Sequence, residues 1–224
     1  MIALNAVVFD LDGVLIDSEP VWEEVRRAFV ADHGGEWQRD TQQRLMGMST
    51  AEWAAYLSGE LGVRLSAEEV ARGVVEQMAR RYEDGVPLMP GAVAAVRRLA
   101  SRWPLGLASS SPRALIDVVL DRTGLAASFE ATVSTEEVAR GKPAPDGYLL
   151  AARRLGADPA ACAAVEDSSN GLRSADAAGM RVIAVPHPRY PPAPDALALA
   201  AFVARDLEEL TVERVSATTG HAGA

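Results

Sequence analysis

The sequence predicts an open, doubly wound parallel α/β sheet whose first strand is followed by an inserted α-helical cap domain. Three observations carry that prediction. The apolar run Val7–Phe9 stops at Asp10 in the manner of a buried strand. The stretch from about residue 17 to 86 has helical periodicity and no convincing strand. Beyond it, helix-like and strand-like segments alternate, the pattern of a parallel sheet covered by helices. The isolated first strand can join that later sheet only if the helices between them are an insertion. The expected domains are a core of residues 1–16 and 87–224 and a cap of residues 17–86.

Each element has its own signal. "ALNAVVF" is the first strand, and Trp22, Val25 and Phe29 follow at helical spacing behind "DSEP", where Pro20 suits a first helical turn. "STAE" (49–52) and "SAEE" (66–69) are capping-box signatures, each leading into apolar positions of helical spacing. "GVPLMPGA" supplies a hinge. Helix-like "AVAAVRRLA" then leads to strand-like "PLGLAS", "PRALIDVVLDRTG" to "FEATVS", "DGYLLAARRLG" to "CAAVE", and "NGLRSADAAGM" to "RVIAVP". "PHPRYPPAPD" is read as a proline-rich loop and "SATTGHAGA" as a frayed tail.

Composition removes several function classes. The 224 residues carry 22 Lys plus Arg against 31 Asp plus Glu, and a net charge of -9 repels nucleic acid and anionic membrane alike. A lone Cys162 within "ACAAVE" gives no disulfide and reads as a packed thiol; His33, His187 and His221 fit no metal-ligand spacing. No apolar run approaches the roughly 20 residues that span a bilayer. A cytoplasmic protein, a monomer or weak homodimer, is expected, with a small molecule as partner and neither nucleic acid nor membrane.

Ligands of an open parallel sheet bind beyond the carboxyl ends of its strands, so strand ends are site candidates. Here the ends hold Asp10 with Asp12, then Ser109, then Glu166 with Asp167. Four carboxylates at one edge repel one another, by about 4 kcal/mol per pair at 4 Å and an effective dielectric near 20. A hard dication relieves this, and carboxylates without nearby histidine or cysteine favour Mg²⁺, which commonly shares its site with a phosphate. Ser109, Ser110 and Ser111 of "SSS", ahead of Pro112, offer hydroxyls and a helix start as a phosphate seat. Lys142 in "RGKPAPDGY" offers a fixed positive charge. Taken singly these are ordinary residues: an Asp before Gly13 is a turn former, a serine run before proline is capping chemistry, and a lysine is a solvated surface residue. Their ordered combination carries the reading.

"DLDGVLID", "ASSS", "GKPAPD" and "VEDSSNG", in that order over almost the whole chain, resemble the haloacid dehalogenase superfamily of aspartate-nucleophile phosphatases and phosphomutases. The helical insertion lies where the β-phosphoglucomutase-like branch has its cap. The resemblance implies that Asp10 attacks phosphorus, that Asp12 protonates the leaving oxygen and later activates water, and that Lys142 neutralises nucleophile and phosphoryl group. It implies Ser109 as the phosphate-binding hydroxyl. It also implies Mg²⁺ held by Asp10, the Asp12 backbone carbonyl and Asp167, with Glu166 on the metal directly or through water.

Where the mutases of this branch carry a cap histidine and a cap arginine, the sequence is read as having Trp22 and Thr50. That departure, with "DSEPVWEE", "RLMGMS" and "LASSSP", makes it more similar to the sugar-phosphate phosphatases, including those acting on 2-deoxyglucose 6-phosphate and on hexose or hexitol phosphates. Glu19, Trp22, Arg44, Met46 and Met48 are the cap residues expected to choose the substrate. The expected function is a Mg²⁺-dependent phosphatase acting on a small phosphorylated metabolite through an aspartyl-phosphate. A phosphomutase and a non-catalytic phospholigand-binding module are the alternatives. Asp17 is expected to be a turn or capping residue at the hinge.

Overall fold

The computed structural model of the chain describes residues 3–45 and 48–218. Met46 and His221 lie outside the described residues, as do residues 219–224 of the expected tail. In chain order the elements are β1 (Ala6–Phe9), α1 (Glu19–Asp32), α2 (Thr41–Leu45), α3 (Thr50–Gly59), α4 (Ala67–Asp84), α5 (Ala92–Ala100) and β2 (Leu105–Ser109). They continue with α6 (Arg113–Thr123), β3 (Ala131–Ser134), α7 (Asp146–Arg154), β4 (Cys162–Glu166), α8 (Ser169–Ala177), β5 (Arg181–Ala184), α9 (Pro194–Leu197), β6 (Phe202–Val203) and α10 (Val212–Ala217).

The chain forms two compact units, one running up to Asp17 and resuming at Pro87, the other spanning Ser18–Val86. Asp17 thus sits with the first unit, one residue beyond the boundary the sequence suggests. Its amide donates to the Pro87 carbonyl at 2.8 Å, and its carboxylate takes Arg189 Nη2 at 2.7 Å with His187 Nε2 at 3.4 Å. It is therefore an ion-paired residue and not a helix cap.

The first unit is built on a six-stranded sheet of order β3-β2-β1-β4-β5-β6 in which every neighbouring pair is parallel. All four residues of β1 are buried, as a central strand covered by helices on both faces requires, which is why it reads as an unbroken apolar run. One face packs Ala6, Val8, Ala108, Ala164 and Ala184 against Tyr148, Ala151, Leu172 and Ala175. Cys162, whose thiol burial pushes up to about 11, belongs to the same cluster and is a packing residue.

Three expectations are corrected. A sixth strand, Phe202–Val203, completes the sheet edge; two residues inside an alanine-leucine run give no strand signal of their own. The described part of the tail is structured: Ser216 and Ala217 belong to α10, whose start Thr211 caps, and the buried Thr218 carbonyl accepts from Arg181 Nη1 at 3.0 Å. The proline-rich loop ends early, because Pro194 and Asp195 already open α9.

In the second unit, no described residue between Ser18 and Val86 is in a strand. Ser49 and Ser66 make the expected reciprocal capping boxes with Glu52 and Glu69. Helix α4 buries Val70, Val74, Met78 and Tyr82, one residue per turn. It can lie close to α1 because Gly73 has no Cβ, which would otherwise meet the Phe29 ring. No helix among the described residues is long and apolar enough to cross a membrane.

Candidate active site

Strands β2, β1 and β4 are neighbours, so the three chain segments marked by sequence end at one place. Phe9 is in register with Leu107 and with Val165, which sets Asp10 beside Glu166 and brings Ser109 to the same edge. The Asp10 amide donates to the Val165 carbonyl at 3.0 Å, fixing the residue where the strand stops. Asp10, Glu166 and Asp167 are all buried, and each offers a carboxylate oxygen within 4.8 Å of the others.

Lys142, from the segment between β3 and α7, enters this cluster. Its Nζ donates to Asp10 Oδ1 at 2.7 Å and to Glu166 Oε1 at 2.6 Å, with its side chain only 9% exposed. Burial alone would lower the ammonium, but the charges of Asp10 and Glu166 outweigh it and hold Lys142 above the ordinary lysine range. Burial pushes Asp10 up to about 8 against the pull of Lys142, with Glu166 and Asp12 adding to the rise. Burial, reinforced by the Glu166 and Asp10 charges, puts Asp167 well above the usual carboxylate range.

Asp12 is at the same edge but not in the tight group of three, although its charge still acts on Asp10. Its Oδ2 accepts from Ser109 Oγ at 3.1 Å and from Ser111 Oγ at 2.8 Å, while Oδ1 is buried with no hydrogen-bond partner among the described residues. The second serine of this pair is Ser111, not Ser110. Ser110 is exposed and contributes its carbonyl to Thr135 Oγ1 at 3.1 Å. At the start of α6 the Arg113 amide donates to Glu136 Oε2 at 2.8 Å.

Glu166 is also more constrained than its sequence position suggests. Oε1 accepts from Lys142 and from the Tyr148 hydroxyl at 2.8 Å. Oε2 accepts from the Asp167 amide at 3.1 Å, the Ser168 amide at 3.3 Å and Ser168 Oγ at 3.2 Å. Both oxygens are occupied by protein donors, so Glu166 is held in place and anchors Lys142. Two glycines make room for the acids. A Cβ on Gly171 would overlap the Glu166 carboxylate, and one on Gly13, at φ +83°, would overlap that of Asp167. Gly171→Ala should therefore lower the urea midpoint of unfolding. An unhindered helical Gly→Ala raises stability by about 1 kcal/mol, so a raised midpoint would show that Glu166 yields freely.

A divalent metal fits this cluster. The donors are all oxygen, Asp167 Oδ1 is buried without a hydrogen-bond partner among the described residues, and three carboxylates face a single ammonium. Of the cap candidates, Glu19 accepts from Gln42 Nε2 at 2.8 Å and Arg44 pairs with Asp40 on the surface, also at 2.8 Å. Met48 is half-buried. Trp22 is 6% exposed, packed 6.0 Å from the Trp53 ring with the Arg26 guanidinium over both rings, so within its own unit it is a core residue.

Tyr148 and Gly171 are the site residues that sequence reasoning missed. Each closes a quoted stretch, "RGKPAPDGY" and "VEDSSNG".

Comparison with known proteins agrees with this geometry. The family model described as haloacid dehalogenase-like hydrolase matches residues 4–179. Hexitol phosphatase B of Escherichia coli is 38% identical over 189 residues, covering 82% of this chain and 84% of its own. A phosphorylated carbohydrates phosphatase of Thermotoga maritima is 33% identical over 186 residues, covering 82% and 86%. Among solved structures, a putative β-phosphoglucomutase from Thermotoga maritima superposes with a TM-score of 0.76 at 30% identity, over 96% of this chain and 100% of the other.

Proposed function

The chain belongs to the haloacid dehalogenase-like hydrolases, and from that premise we propose that it is a Mg²⁺-dependent phosphatase of small sugar or sugar-alcohol phosphates, working through a phosphorylated Asp10. The observation that carries the proposal is the buried Asp10–Lys142 pair beside an Asp12 whose Oδ2 is fixed by two serine hydroxyls.

A carboxylate oxygen of Asp10 attacks phosphorus and the bond from phosphorus to the ester oxygen breaks. Asp12 supplies the proton that the leaving alkoxide needs, through Oδ1, which has no hydrogen-bond partner among the described residues. In the second half Asp12 takes a proton from water, that water attacks phosphorus, and the bond to Asp10 breaks to release inorganic phosphate. Lys142 lets two anions approach, and Glu166 holds Lys142 in place. Asp10 and Asp167, with the Asp12 carbonyl, are the groups to hold Mg²⁺, which when bound supplies positive charge against phosphoryl oxygens.

The substrate class rests on the names of the relatives, a hexitol phosphatase and a phosphorylated carbohydrates phosphatase. A panel of hexose and hexitol phosphates assayed with Mg²⁺ tests it; no phosphate release from any member overturns the reading and favours a binding module. The structural likeness to a putative β-phosphoglucomutase keeps one rival in view. Isomerisation of β-glucose 1-phosphate faster than its hydrolysis would decide for that rival.

Metal linkage gives a second expected result. At about a hundred times its dissociation constant, Mg²⁺ should raise the thermal midpoint by about 5–10 °C near neutral pH. The shift should shrink toward about pH 5, because protons compete for carboxylates that burial has already raised. A shift independent of pH, or none, would place the metal elsewhere.

A further inference from the structure

We infer that Tyr148 is a positioning residue of this reaction: its hydroxyl takes one lone pair of Glu166 Oε1 and thereby directs Lys142 toward Asp10. The inference rests on the proposed phosphatase reading and adds a residue to it.

Tyr148 is fully buried in the first turn of α7, packed into the cluster of Ala6, Val8, Ala151 and Ala164. A buried phenol needs an acceptor, and this one donates to Glu166 Oε1 at 2.8 Å. Burial together with the Glu166 and Asp10 charges keeps the phenol protonated, so it acts as a neutral donor and orients charge without cancelling any.

Glu166 cannot turn. Its Oε2 is held by two backbone amides and the Ser168 hydroxyl, and Gly171 leaves just the space the carboxylate fills. Oε1 therefore presents two fixed acceptor directions. Tyr148 occupies one, and Lys142 Nζ occupies the other while also reaching Asp10 Oδ1. The Tyr148 ring lies 5.1 Å from Lys142 Nζ and adds a cation–π contact on the same side. Without the hydroxyl, the second lone pair of Oε1 is open, and Lys142 can follow it away from Asp10. The ammonium would stay paired yet be poorly placed, a defect that falls on turnover and not on substrate capture.

The test uses the full chain with Mg²⁺ and p-nitrophenyl phosphate, comparing wild type, Tyr148→Phe, Glu166→Gln and the double variant. Tyr148→Phe keeps the ring, and it should lower kcat about tenfold with KM within about twofold. The double variant should be no slower than Glu166→Gln alone, because the hydroxyl acts only through that carboxylate. An unchanged kcat, or two independent, multiplying losses, overturns the assignment. If the wild type releases no phosphate, the phosphatase reading has failed, and urea unfolding of the same four proteins decides the positioning role by itself. Loss of the hydroxyl should then matter less in the Glu166→Gln background; equal losses in both backgrounds would overturn it.

Discussion

Asp10→Asn should reduce turnover by about a thousandfold or more and leave the metal-free protein no less stable than wild type near neutral pH. Both halves follow from the site. The substitution removes the attacking carboxylate but preserves its shape and its place at the end of β1. On stability, burial raises Asp10 from 3.8 to about 8, so the fold prefers its neutral form. The stability this preference contributes is fully present below pH 3.8 and is lost as pH rises through about 8. Over that window folding must place a proton on Asp10 that the unfolded chain has lost, a cost that grows with pH and that an amide does not meet. Urea unfolding at several pH values should show the variant gaining on wild type as pH rises. Substantial residual activity would remove Asp10 from its role, and a variant that loses ground as pH rises would refute the account of its burial.

Lys142→Met should have the opposite effect on stability. The ammonium is bonded to both Asp10 and Glu166, and removing it leaves two buried carboxyl groups facing each other. Breaking a buried pair in this way costs about 3–5 kcal/mol, and methionine retains enough of the stem that lost packing does not explain the loss. The cost should grow with pH, because protonation is the remaining way to relieve the repulsion. Turnover should fall at least about a hundredfold, since Lys142 is the group that screens nucleophile from phosphate. A stability loss below about 1 kcal/mol even above pH 8, where Asp10 is ionised, would show that the pair does not hold the fold.

Much of this is legible in the sequence. Buried parallel strands announce themselves as short apolar runs, and Asp10, Ser109 and Glu166 close three of them. The sheet order makes those three strands neighbours. What the sequence hid are contacts between groups far apart in the chain. Ser111 meets Asp12 across 99 positions, and nothing in "SSS" distinguishes its third serine from its second. Tyr148 reads as an apolar position of α7 until its hydroxyl is found on Glu166. Gly171 looks like an ordinary helical glycine until the carboxylate beside it is seen. Strand β6 was missed for a different reason, since two residues are too few to show a period.

The central claim is that phosphate passes through Asp10. Its most direct test is to quench the enzyme in acid during turnover of a labelled sugar phosphate, reduce with borohydride and sequence the product. An aspartyl-phosphate is reduced to homoserine, so homoserine at position 10, in wild type with Mg²⁺ and substrate and not without substrate, is the result expected. Label on another side chain, or full turnover with Asp10 never modified at saturating substrate, would contradict the claim.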